Sequence, residues 1–174
     1  MFAWGEWFAI PPFAFLETSI PMAARELRFN ALVPELVCRD LATSLAFYCG
    51  ALGFARLYDR SDPPFAYLER EDAQIMLDEI TPESWLTGAM ETPFGRGINL
   101  QIEASALQPL LDGLEAAGHA LYRAPEEAWY AGADRLYGQR QFLVQDPDGY
   151  LLRFCQDIGE RPLDAPDTGG RIVQ

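Results

Sequence analysis

The chain has 174 residues, enough for one compact domain or for two small modules sharing a core. Its 49% hydrophobic and 13% aromatic content excludes a disordered chain and supplies a core without staples. With 13 basic against 26 acidic residues the net charge is −13, and Arg135 with Arg140 is the densest basic pair, so nucleic acid is excluded as a partner. Two readings of the acidity stay open: it keeps the protein soluble, or it attracts a cationic ligand.

Residues 1–21 are rich in Phe and Trp, contain Glu6 and Glu17, and have no Lys or Arg. Without a basic start, and with Pro11, Pro12 and Pro21 interrupting any helix, they predict neither a secretory signal nor a membrane span. Either they form an aromatic arm that packs on the domain or on a partner, or Met22 is the natural start, which is the preferred reading. Residues 1–30 are therefore set apart as an N-terminal arm. Cys38, Cys49 and Cys155 lack CxxC spacing and sit in apolar or strand-like settings, which predicts buried reduced thiols and a cytoplasmic protein. His119, the single histidine, follows Gly118, which makes a catalytic Cys–His pair a poor reading.

Residues 32–38 predict a strand rich in Val and Leu, with Pro34 suiting an edge position. Asp40 is placed to cap a helix on which Leu41, Leu45, Tyr48 and Leu52 recur at helical spacing, and Gly53 ends it. Strands follow at 54–59, 65–69 and 73–77, separated by turns at Pro63-Pro64 and Glu71-Asp72. A connector over 81–96 carries Pro82, Gly88, Pro93 and Gly95. The plan then repeats: a strand at 98–102, Ser105 as helix cap, a stripe of Leu107, Leu110, Leu111 and Leu114, and Gly118 as the stop. Strands at 120–123, 139–145 and 150–156 complete it, with a polar aromatic loop after the first and the Asp146–Gly149 turn before the last. The fold class is α+β: two paired βαβββ modules, 31–80 and 97–157, whose curved mixed sheets surround a cleft. Residues 158–174 read as a loose acidic tail.

The run Val33-Pro34-Glu35-Leu36-Val37-Cys38-Arg39-Asp40, continued through Phe47-Tyr48 and Leu52-Gly53-Phe54, resembles the opening of a vicinal-oxygen-chelate module. Tyr137 to Gly149, ending Gln145-Asp146-Pro147-Asp148-Gly149 and continued by Tyr150-Leu151-Leu152-Arg153-Phe154, resembles its closing hairpin. The resemblance covers residues 32–157. Metal-dependent relatives such as glyoxalase I place His or Glu on four strands facing one cavity. Carried over by motif, those positions fall on Val33, Met76, Ile98 and Arg153, none of which ligates a divalent metal. Glu35, Asp78, Glu79 and Glu103 remain as an all-carboxylate alternative.

The resemblance therefore implies the bleomycin-resistance type: a metal-independent binder, without cofactor or catalytic residues, that sequesters a small cationic or aromatic antibiotic as a homodimer. The alternatives are a lyase or dioxygenase of the same superfamily, or a binder of another natural ligand. Candidate ligand-binding residues are Phe65, Tyr67, Trp85, Trp129, Tyr130, Tyr137 and Arg140, since rings stack flat ligands and meet cationic groups. Each has a structural alternative. Trp129 and Tyr130, beside Glu126 and Glu127, can plug the core, and Trp85 can simply join modules. Phe65 and Tyr67 share a strand face and can be core, and Arg140 can pair across the sheet. Arg39, Asp40, Asp146 and Asp148 are read as architectural.

Overall fold

The computed structural model describes residues 28–164 and 170–173; the aromatic segment 1–21 and Met22 lie outside them. The first sheet has four strands in the order β1-β4-β3-β2: β1 (Glu35–Cys38), β2 (Ala55–Ser61), β3 (Pro64–Arg70) and β4 (Ala73–Glu79). Only the β1–β4 pair is parallel. The second has five, β5-β8-β7-β6-β9: β5 (Asn99–Glu103), β6 (Leu121–Ala131), β7 (Arg135–Gln145), β8 (Leu151–Pro162) and β9 (Arg171–Val173). β1 is an edge strand, as Pro34 just before it predicts.

Asp40 caps α1 (Leu41–Leu45) by accepting from the Thr43 amide at 2.6 Å, and the helix continues as a π-helical turn over Ala46–Ala51. Gly53, at φ +71°, ends it, and Gly118, at φ +72°, follows α2 (Gln108–Ala116). Ser105, expected to cap α2, does not. Leu107 holds that position with no side-chain cap, and the Ser105 amide and hydroxyl turn instead to Glu71.

Alternation sends one face of each sheet to the helices. Leu36, Ala66, Leu68, Ile75 and Leu77 from the first sheet, and Ile102, Phe142, Val144, Leu152 and Phe154 from the second, close on Phe47, Tyr48, Leu107, Leu110 and Leu114 in one core. Gly113 of α2 lies against the π-helical turn: a Cβ there would stand 2.1 Å from the Ala51 carbonyl oxygen. The modules also exchange contacts at their ends. Asp148, in the β7–β8 turn, accepts from the backbone and guanidinium of Arg39 at the β1–α1 junction, while Glu71, in the β3–β4 turn, accepts from Ser105 at the β5–α2 junction.

Two further expectations are corrected. The residues read as a polar aromatic loop after 123 continue β6 to Ala131, with register breaks between Leu121 and Glu126 where Pro125 withholds an amide. The tail read as loose extends β8 to Pro162 and supplies β9, which runs parallel to β6.

Candidate ligand-binding site

The faces turned away from the helices carry the polar and aromatic groups that the core does not use. On the first sheet, register sets side chains in rows. Tyr58 stands opposite Tyr67 and Tyr67 opposite Met76; Arg60 stands opposite Phe65 and Phe65 opposite Asp78. The Tyr58 ring stacks on Tyr67 at 5.5 Å and lies 5.6 Å from Phe65, and the Arg60 guanidinium covers Phe65 at 4.4 Å. Phe29 meets Tyr67 edge-on at 5.2 Å. The Tyr67 hydroxyl donates to Gln74 Oε1 at 2.8 Å, and Gln74 Nε2 donates to Glu69. Phe65 and Tyr67 thus form one aromatic floor, both of them buried, with Tyr58, 39% exposed, as its open member.

On the second sheet the corresponding face carries a polar network. Gln101, Arg153 and Leu143 share one row, and Glu103, Cys155, Gln141 and Glu126 the next. Arg153 Nη2 donates to the Tyr130 hydroxyl at 2.7 Å and to Gln139 Oε1 at 3.2 Å. Tyr130 in turn donates to Gln141 Oε1 at 3.1 Å, and Gln141 Nε2 to Glu126 at 2.9 Å. Tyr137 lies opposite Tyr130 and is exposed.

The remaining candidates are elsewhere. Trp129 and Tyr130 are consecutive strand residues, so the pleat sends them to opposite faces. Trp129 is buried on the far side, with the Arg161 guanidinium 3.8 Å over its ring and Gly138 beneath it. Arg140 sits opposite Glu127 on that same far face. Trp85 stands in the connector, 97% exposed. Tyr58, Gln139, Gln141 and Arg153 are the members that sequence reasoning did not propose as ligand contacts. The alternation Gln139-Arg140-Gln141 was the available signal for two of them.

A hollow of about 570 Å³ lies between the connector and strands β1 and β5, with Glu35, Met90, Phe94, Leu100 and Tyr150 among its walls. Its cation, Arg96, is engaged with the carbonyls of Glu91, Thr92 and Pro93, so that charge is spent on shaping the connector.

A profile of one protein family matches residues 28–154: the Glyoxalase/Bleomycin resistance protein/Dioxygenase superfamily. The chain belongs to this superfamily. Bleomycin resistance proteins of Geobacillus stearothermophilus and of Staphylococcus aureus strain N315 are each 26% identical to it over 136 residues, 72% of this chain and 96% of theirs. Among solved structures, TioX from Micromonospora sp. ML1 shares the fold at a TM-score of 0.57 and 20% identity, covering 75% of this chain and 100% of TioX. The bleomycin resistance determinant encoded on transposon Tn5 does so at 0.52 and 22%, covering 75% and 100%.

Within this superfamily frame the metal positions can be tested residue by residue. Val33 precedes β1 and Ile98 precedes β5; the side chain in register with Arg153 is Gln101, so the β5 residues on that face are Asn99, Gln101 and Glu103. The thioether of Met76, the amides of Asn99 and Gln101 and the guanidinium of Arg153 do not fit a divalent metal, and Glu103 is the single carboxylate among these β5 residues. Of the carboxylate set, Glu79 accepts from the Leu41 amide at 2.7 Å and is committed to the start of α1. Among the described residues no group of three or more His, Cys, Asp or Glu side chains is placed to hold a metal ion. Nor are the thiols poised for chemistry. Burial pushes Cys38 up to about 12 and raises Cys49 and Cys155, keeping all three protonated at neutral pH.

Proposed function

We propose that residues 31–157 form a metal-independent binding unit that takes up a flat aromatic small molecule and withholds it, as a cytoplasmic homodimer whose open sheet faces close over the ligand. The observation that carries this reading is the aromatic cluster of Tyr58, Phe65 and Tyr67 on the sheet face opposite the core, in which Phe65 and Tyr67 are buried and Tyr58 offers the accessible ring. Met76, Asp78 and Glu35 border it, so a ring can stack while a cationic substituent meets a carboxylate. Tyr130 and Tyr137 supply the facing aromatic edge. Similarity to bleomycin resistance proteins supports a bleomycin-like glycopeptide as the model ligand.

The test is a titration of metal-analysed protein with metal-free bleomycin, following tryptophan fluorescence and heat together. Saturable binding at micromolar Kd or tighter, near one ligand per chain and without bound metal, is expected. No binding by a sample holding stoichiometric iron, manganese or zinc would overturn the proposal.

A further inference from the structure

Among the described residues Arg153 is a half-buried cation without an anion. Its Nη2 donors meet only neutral acceptors, the Tyr130 hydroxyl and Gln139 Oε1, and its Nε is buried with no hydrogen-bond partner. The Tyr130 ring lies 5.5 Å from the guanidinium carbon and adds only a weak attraction. In a chain with 26 carboxylates against 13 basic residues, this is not for want of partners. The nearby Glu126 is already engaged, accepting from Gln141 at 2.9 Å and pairing with Arg123 at 3.2 Å and Arg171 at 3.4 Å. Glu103 and Asp157 stand on the same face, in rows next to and beyond that of Arg153, and neither pairs with it among the described residues.

A guanidinium does not deprotonate under physiological conditions, so this charge is permanent. Cations drawn out of water are ordinarily balanced by an anion or fully hydrogen-bonded, and Arg153 is neither. The two neutral acceptors hold Nη2 and fix the plane of the guanidinium, which leaves Nε and Nη1 without an acceptor among the described residues; a guanidinium with paired donors unspent is the group that recognises a planar oxyanion.

We infer that Arg153 is a specificity-determining residue, the receptor for a carboxylate or similar oxyanion on the ligand. The aromatic compound taken up thus carries a negative group that docks on the second sheet. This inference rests on the binding function proposed above and narrows its ligand class.

The experiment compares 1-naphthoate with 1-naphthamide, which share ring and shape and differ in charge. Binding to the full chain is measured by calorimetry, for wild type, Arg153→Gln and Arg153→Lys. Naphthoate is expected to bind wild type at least tenfold more tightly than naphthamide, a preference erased in Arg153→Gln and partly kept in Arg153→Lys, with naphthamide affinity unchanged throughout. Equal affinities for the two probes in wild type overturn the inference without any variant. So does a preference that survives in a folded Arg153→Gln protein, with folding checked by its thermal transition. If neither naphthyl probe binds while metal-free bleomycin saturates, the oxyanion receptor falls and the binding function stands. If naphthoate binds selectively and bleomycin does not, the receptor stands and the drug-binding reading falls.

Discussion

Gly113→Ala sets two opposing effects against each other at one position. Alanine is favoured over glycine in a helix interior by about 1 kcal/mol, so on propensity alone the change stabilises α2. The new methyl, however, would stand 2.1 Å from the Ala51 carbonyl oxygen, against the 3.0 Å below which Cβ contacts essentially never occur. The two helices must therefore separate by about 0.9 Å, the difference between those distances. Backbone cannot swing aside as a side chain can, and Leu110 and Leu114 on the same helix are fully buried against the core. Overpacking of this kind costs about 1–3 kcal/mol or more, and a rigid partner places it at the upper end. Set against the propensity gain, a net loss of about 1–2 kcal/mol is expected. Urea denaturation gives the change directly from the midpoint at constant slope, and the thermal midpoint should fall by roughly 3–8 °C for a domain of this size. A Gly113→Ala protein as stable as wild type, or more so, would refute the claim that α2 and the π-helical turn are held at backbone contact.

The Tyr48 hydroxyl donates to Asp146 at 3.0 Å inside the core, and burial, outweighing the hydrogen bonds, raises the Asp146 carboxyl above its ordinary range. A raised carboxyl favours folding most below its unfolded value, and that contribution fades as pH rises through the folded value. Tyr48→Phe removes a bond to the ionised form, so its cost should be about 1 kcal/mol near pH ~4 and about 2 kcal/mol near pH ~7.5; denaturation at both pH values checks this, and an equal cost would count against it. Tyr58→Ala should weaken bleomycin binding about tenfold by removing the stacked ring, read by calorimetry. Trp129→Phe should lower the thermal midpoint yet leave that affinity unchanged, because its ring lies on the other face beneath Arg161; a loss of affinity would place the ligand there instead. Chelator treatment should leave bleomycin affinity unaltered, whereas loss of binding restored by added metal would return the protein to the metalloenzymes.

Elements with uninterrupted apolar periodicity were legible from the sequence. The Asp40 cap, the Gly53 stop and the two Leu-rich helices lie where local chemistry dictates, because neighbours along the chain decide them. Contacts set by distant residues were not legible. Ser105 has the chemistry of a cap, but Glu71, 34 positions earlier, captures its amide. β6 was hidden because Pro125 and a run of charges look like a loop until β7 and β9 are seen to pair on both sides. Trp129 and Tyr130, adjacent in sequence, read as one aromatic pair, whereas a strand assigns them to separate sides. Arg153 was visible as a residue that rejects metal, but its lack of a counter-charge is a property of space, and no window of sequence shows it.

The crossed contacts at the module ends bear on how the chain can be divided. Asp148 in the second module anchors the entry to the first helix, and Glu71 in the first anchors the entry to the second. Each half thus fixes the approach to the other's helix, so the connector is a tether rather than the joint. A protein cut within it would give two fragments, each short of a part the other carries. Mixed together, they have what is required to restore one another, as halves of a single object rather than as two repeats that happen to share a chain.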